Sequence, residues 1–130
     1  MSTKIVAIPS GTKVNILGSE WTIEVVKYSK CKLLKDSNKD GACRKFERRI
    51  VVSDCSEDAN VTEEAKIRRF CRLLRHELIH AFLMESGLGI STTMVRGGWA
   101  VNDEMVDWIA LQSPKIFVVF KELGILEEEE

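Results

Sequence analysis

The sequence predicts an α+β fold, a small antiparallel sheet followed by two or three helices. Three observations carry this. In the first third of the chain Trp21, Ile23 and Val25 alternate with Thr22, Glu24 and Val26, the period of a strand. From Asn60 the apolar spacing changes to that of a helix and stays there. The chain has 130 residues, 45% hydrophobic and 30% charged, which suits one soluble domain with a single modest core.

The elements follow in order. A short strand is expected near Lys13 to Leu17, with Gly18-Ser19 as the turn into the strand of Trp21. Asp36-Ser37-Asn38-Lys39-Asp40-Gly41 is a cluster of turn formers and reads as a hinge. The next strand runs from Phe46 and ends near Ser53. Phe46, Arg48, Ile50 and Val52 share one face, and it pairs antiparallel with the first. Asn60 or Thr62 can cap the long helix, and Glu63 and Glu64 suit its positive end. Ile67, Phe70, Leu74, Leu78 and Phe82 form its apolar face, and Gly87 stops it, so the helix spans 62 to 86. A glycine-containing loop from 88 to 98 leads to a second helix starting near Asn102, which Pro114 should kink or restart. The domain is expected over 1–123, with 124–130 as an acidic disordered tail.

Composition narrows the function classes. A formal net charge of -1 gives no global attraction to nucleic acid or anionic membranes. No apolar run is long enough for a membrane helix. Met1 to Ile5 carries no secretory pattern, so a cytoplasmic setting is expected, with Cys31, Cys43, Cys55 and Cys71 as free thiols. No C-x-x-C pair supports a thiolate zinc site.

The chemistry concentrates in His76-Glu77-Leu78-Ile79-His80. Residues four apart on a helix point the same way, so both imidazoles can reach one zinc ion. Glu77, beside that face, can take a proton from water rather than bind the metal. These are the only two histidines in the chain, so the third ligand must be a carboxylate or a thiolate. The acids in Asn102-Asp103-Glu104-Met105-Val106-Asp107 are the best supply. Either Glu104 or Asp103 can share a face with Asp107, and Glu104 is slightly favoured for reach. Asp107 would accept the free ring N–H of a ligand histidine. Tyr28 is the only tyrosine, and Arg75 and Arg96 are candidate donors to a reacting oxyanion. Lys66, Arg68, Arg69, Arg72 and Arg75 on the helix, with Arg44, Lys45, Arg48 and Arg49 before it, read as a solvated face or as a nucleic-acid contact.

These motifs carry a resemblance. His76 to Leu83, Asn102 to Ala110 and Pro114-Lys115-Ile116 resemble small phage and prophage metallopeptidases, whose wider relatives are the glutamate-ligand zincins. Gly41-Ala42-Cys43 before the strand of Arg44 to Val52 extends the likeness over roughly residues 20 to 123. The downstream motif of those zincins is Asn-Glu-x-x-x-Asp, and Asp103 stands here at its glutamate position. The resemblance implies a zinc-dependent peptidase with a peptide or protein substrate. It also implies a sheet over the H-E-x-x-H helix whose edge strand, here Arg44 to Ser53, borders the cleft. A monomer in the host cytoplasm is expected. The alternative is a non-enzymatic protein holding a structural zinc and binding a protein or nucleic acid.

Overall fold

A computed structural model describes residues 8–89 and 98–126. The tail at Glu127 to Glu130 and the candidate donor Arg96 lie outside the described residues. The architecture is α+β, with a four-stranded mixed sheet, a long helix and a second long helix packed on it.

β1 (Thr12–Ile16) and β2 (Ser19–Val26) form an antiparallel hairpin, turned at Leu17 and Gly18, both with positive φ. A turn at Tyr28–Lys30 leads into a short helix, α1 (Lys32–Ser37), whose last two residues begin the stretch expected to be a hinge. Leu34 anchors α1 by burying fully, and Asn38 ends it in the left-handed conformation. β3 (Gly41–Arg44) and β4 (Arg49–Ser53) form a second hairpin.

The sheet order is β1-β2-β4-β3, and β4 pairs with β2 in parallel, Ile23 beside Ile50 and Val25 beside Val52. The antiparallel pairing expected between these strands is corrected here. β3 occupies the outer position, so the hairpin that returns β4 into the sheet also fixes its direction. The expected cleft edge is corrected too. Arg44 to Ser53 spans a hairpin turn, and β4 is interior, whereas β3 is the edge. Phe46 and Arg48 sit in that turn: Phe46 is 93% exposed, and Arg48 adopts φ 48°. Ile50 and Val52 do share the core face.

α2 (Glu63–Leu83) lies across that face. Thr62 caps it, its Oγ1 accepting the Ala65 N–H at 3.1 Å. The core joins Ile16, Trp21, Ile23, Ile50 and Val52 of the sheet to Leu74 and Ala81 of α2. A wider π turn, Met84–Leu88, follows, and Gly87 takes φ 99°. There Glu85 accepts the Trp21 Nε1–H at 2.7 Å, the Arg48 Nε–H at 2.8 Å and the Ser19 hydroxyl at 3.1 Å, tying the helix end to the sheet.

A turn at Trp99–Val101 precedes α3 (Asp103–Glu122), which packs against α2. Asn102 caps it, its Oδ1 accepting the Met105 N–H at 3.0 Å. Pro114 lies inside α3, yet the helix neither restarts nor breaks. Proline has no N–H for the carbonyl four residues back, that of Ala110. The Arg75 guanidinium supplies the missing donor at 2.8 Å. Among the described residues, no helix is long and apolar enough to cross a membrane.

Candidate metal centre

α2 places His76 and His80 one turn apart, rings 4.8 Å between centroids. The Asn102 cap sets the phase of α3 so that Asp103, its first residue, turns toward them. Three ligand atoms converge: His80 Nε2 lies 3.1 Å from His76 Nε2 and 3.0 Å from Asp103 Oδ1, and His76 Nε2 lies 3.4 Å from the same oxygen. Ligands about 2.0–2.1 Å from a tetrahedral zinc stand roughly 3.3–3.4 Å apart, so the triangle matches three corners of such a site.

The outer ring nitrogens fix the protonation. His76 Nδ1 lies 2.9 Å from Asp107 Oδ1, and His80 Nδ1 lies 2.6 Å from the Ala100 carbonyl. Both neighbours only accept, so each Nδ1 carries a proton, and in the neutral ring each Nε2 then offers a lone pair to a metal. Two lone pairs and a carboxylate then face one point. They repel one another unless a cation holds them. These residues therefore fit a divalent metal, and imidazole with carboxylate suits zinc.

The acid cluster divides by helix phase. Asp103 joins the histidines and Asp107 orients His76, while the side chain favoured for reach, Glu104, does not join the group. One residue further along α3 is about 100° further round the helix. That carries Glu104 to a neighbouring surface groove lined by Arg72, Met105, Trp108 and Leu111. Asp103 is 64% exposed at its side chain and the histidines 16% and 10%, so the open side of the group faces solvent through the carboxylate.

Glu77 lines the wall of the same cleft, which measures about 590 Å³ and is bordered by Lys39, Gly41, Cys43, His76, His80 and Asp103. It is buried, at 6% exposure. Burial pushes its carboxyl above the usual carboxylate range. The Asp103 charge adds to this, and the Lys39 ammonium opposes it more weakly than burial acts. Gly41 makes its room, because a Cβ there would stand 2.8 Å from Glu77 Oε2. Burial, with the Glu77 charge beside it, lifts the Cys43 thiol to about 12, so this side chain packs as a neutral group.

One other expectation is corrected. Arg75 does not border the cleft, because it is engaged with Ala110. Tyr28 points its hydroxyl at Asn38, 3.5 Å away, also outside the cleft. Much of the basic cluster is paired with acids: Lys66 with Glu63, Arg68 with Glu64, Arg69 with Asp40 and Asp58, Arg44 with Glu47, Arg48 with Glu85 and Arg72 with Asp107. Sequence reasoning missed the Ala100 carbonyl, for which no side-chain signal exists, and missed Gly41 as the seat of Glu77, reading it only as a turn former. No protein-family model matches the chain, and no curated protein or solved structure is significantly similar to it, so the two helical motifs and this geometry carry the functional reading alone.

Proposed function

We propose that the chain is a zinc-dependent hydrolase of peptide bonds, of the kind found in small phage metallopeptidases. The observation that carries this is the convergence of two imidazole Nε2 atoms and one carboxylate oxygen within 3.4 Å, beside a buried glutamate. Zinc held by His76, His80 and Asp103 would supply Lewis acidity toward the substrate carbonyl and a readily ionised water. The protein supplies the rest. Glu77, its carboxyl raised by burial, takes the proton from the attacking water and returns it to the leaving amine. Asp107 and the Ala100 carbonyl hold the two rings in the tautomer that leaves Nε2 free. β3 borders the cleft as the outer strand of the sheet, which suits pairing with an extended peptide. A group of three candidate protein ligands among the described residues, one of them exposed, favours an open catalytic site over a closed structural one. A cytoplasmic setting in the host cell completes the proposal.

The test is cleavage of a peptide library by the zinc-loaded protein, with and without chelator. Chelator-sensitive cleavage that vanishes in Glu77→Gln, while zinc content is kept, is the expected result. Cleavage by Glu77→Gln at the native rate refutes the assignment of the base.

A further inference from the structure

The cleft holds one charge that hydrolysis does not use. Lys39 is the only lysine or arginine lining it among the described residues, and its ammonium makes no ion pair or hydrogen bond. The acids around it are committed: Asp40 pairs with Arg69 at 2.6 Å, and Asp103 and Asp107 lie against the histidines. Its backbone is fixed, because the Lys39 N–H donates to the Leu34 carbonyl at 3.2 Å, closing the end of α1 just ahead of β3.

The pairing of β3 tells which way its groups point. Ser53 N–H donates to the Asp40 carbonyl at 2.8 Å, and Ala42 pairs with Val51 two residues on. Asp40, Ala42 and Arg44 therefore turn their backbone groups to β4, while Gly41 and Cys43 turn theirs to the free edge. Side chains alternate along β3, so Gly41 and Cys43 face one side of the sheet. That is the side of α2: Gly41 lies against Glu77, and Cys43 packs against the core that α2 shares. Lys39 acts on Glu77 by its charge and lines the same cleft, in keeping with that side.

A peptide added to this edge would place one residue opposite Gly41, beside Glu77. The residue two positions away, on the same face of the peptide, would then run past the start of β3, within reach of the Lys39 side chain that lines the cleft there. We propose that Lys39 is a specificity-determining residue that selects an acidic side chain at this position of an extended peptide substrate. The inference rests on the hydrolase reading and names the substrate class of that site.

The experiment is cleavage of a peptide library by the zinc-loaded full chain, comparing the native protein with Lys39→Ala and Lys39→Glu at matched zinc content. The native protein should favour Asp or Glu at one position, separated by a single residue from the one opposite Gly41. The preference should be about three- to tenfold at low ionic strength and should shrink as salt rises. Lys39→Ala should flatten it, and Lys39→Glu should turn it toward Lys and Arg at the same position. An unchanged profile in Lys39→Glu overturns the proposal and leaves the hydrolase reading standing. An equal loss on every peptide with the profile unchanged also overturns it, because Lys39 would then act through its charge on Glu77 or on the reacting carbonyl rather than on a side chain. A native protein that cuts no peptide overturns the hydrolase reading, and this proposal with it.

Discussion

Arg75 and Pro114 form one device, and a double-mutant cycle measures it. Arg75→Met keeps the aliphatic stem and removes the guanidinium that donates to the Ala110 carbonyl at 2.8 Å. Ala110 is fully buried, so water has poor access to the orphaned oxygen. Loss of a charged donor to a buried acceptor costs about 1.5–3 kcal/mol, which lowers Tm by roughly 5–10 °C in a domain of this size. Pro114→Ala restores an amide four residues after Ala110, able to donate to the same carbonyl. In that background Arg75→Met should cost only about 0.5–1 kcal/mol, the ordinary net worth of a second bond. The coupling is then about 1–2 kcal/mol. The effect of proline on the unfolded chain is common to both backgrounds and cancels in the cycle. Urea denaturation of the four proteins reads the free energies directly. Additive costs, within about 0.5 kcal/mol, would refute the view that Arg75 replaces the amide proline lacks.

Three further outcomes follow from the site and its supports. Asp103→Ala should lose zinc affinity by about 100-fold or more, while Glu104→Ala should change it less than about threefold, both read by competition with a chromogenic chelator. The reverse order would restore Glu104 as ligand. Gly41→Ala sets a Cβ 2.8 Å from Glu77 Oε2 and 3.1 Å from its Cδ, so the base must move. Turnover should fall by about 10–100-fold with zinc content unchanged, and native turnover would show that Glu77 has slack. The bonds from Arg48, Trp21 and Ser19 hold the Glu85 carboxyl below its ordinary value of 4.5. A lowered folded value gives stability that is complete above pH 4.5 and fades as pH falls through the lowered value. The urea midpoint should therefore drop between pH 6 and pH 3 by less in Glu85→Gln than in the native protein, and equal drops would count against the linkage.

What was legible in the sequence was what local pattern determines. Thr62 and Asn102 announce their helices because a side-chain oxygen before a helical period has one favourable use, and both serve as caps. The pair His76 and His80 was readable for the same reason, since helical spacing alone puts them on one face. The strand period placed β1, β2 and β4, and the period carries no direction. The parallel pairing of β2 with β4 depends on where β3 inserts, a non-local choice. α1 was hidden because its turn-forming residues describe how it ends, while the burial of Leu34 that holds it depends on the rest of the fold. The choice between Asp103 and Glu104 followed arm length in the sequence and helix phase in the structure. Phase decides, because one extra methylene cannot offset a rotation of about 100°.

The placing of Asp103 beside the histidines is thus a consequence of a cap. The segment 98–103 does three things within one short turn: the Ala100 carbonyl fixes the ring of His80, Asn102 starts α3, and Asp103 faces the histidines. These functions are not independent, because the cap sets the helix phase and the phase aims the carboxylate. Arg75 then holds α3 against α2 further along, from the same helix that carries both histidines. A site built this way needs little additional scaffold. α2 and α3 supply the three candidate ligand atoms, Asp107 and the Ala100 carbonyl orient the two rings, and the sheet seats Glu77 at Gly41 beside its outer strand. The small size of the domain is compatible with the proposed chemistry because the candidate groups are confined to these two helices, the turn before α3 and the adjacent sheet edge.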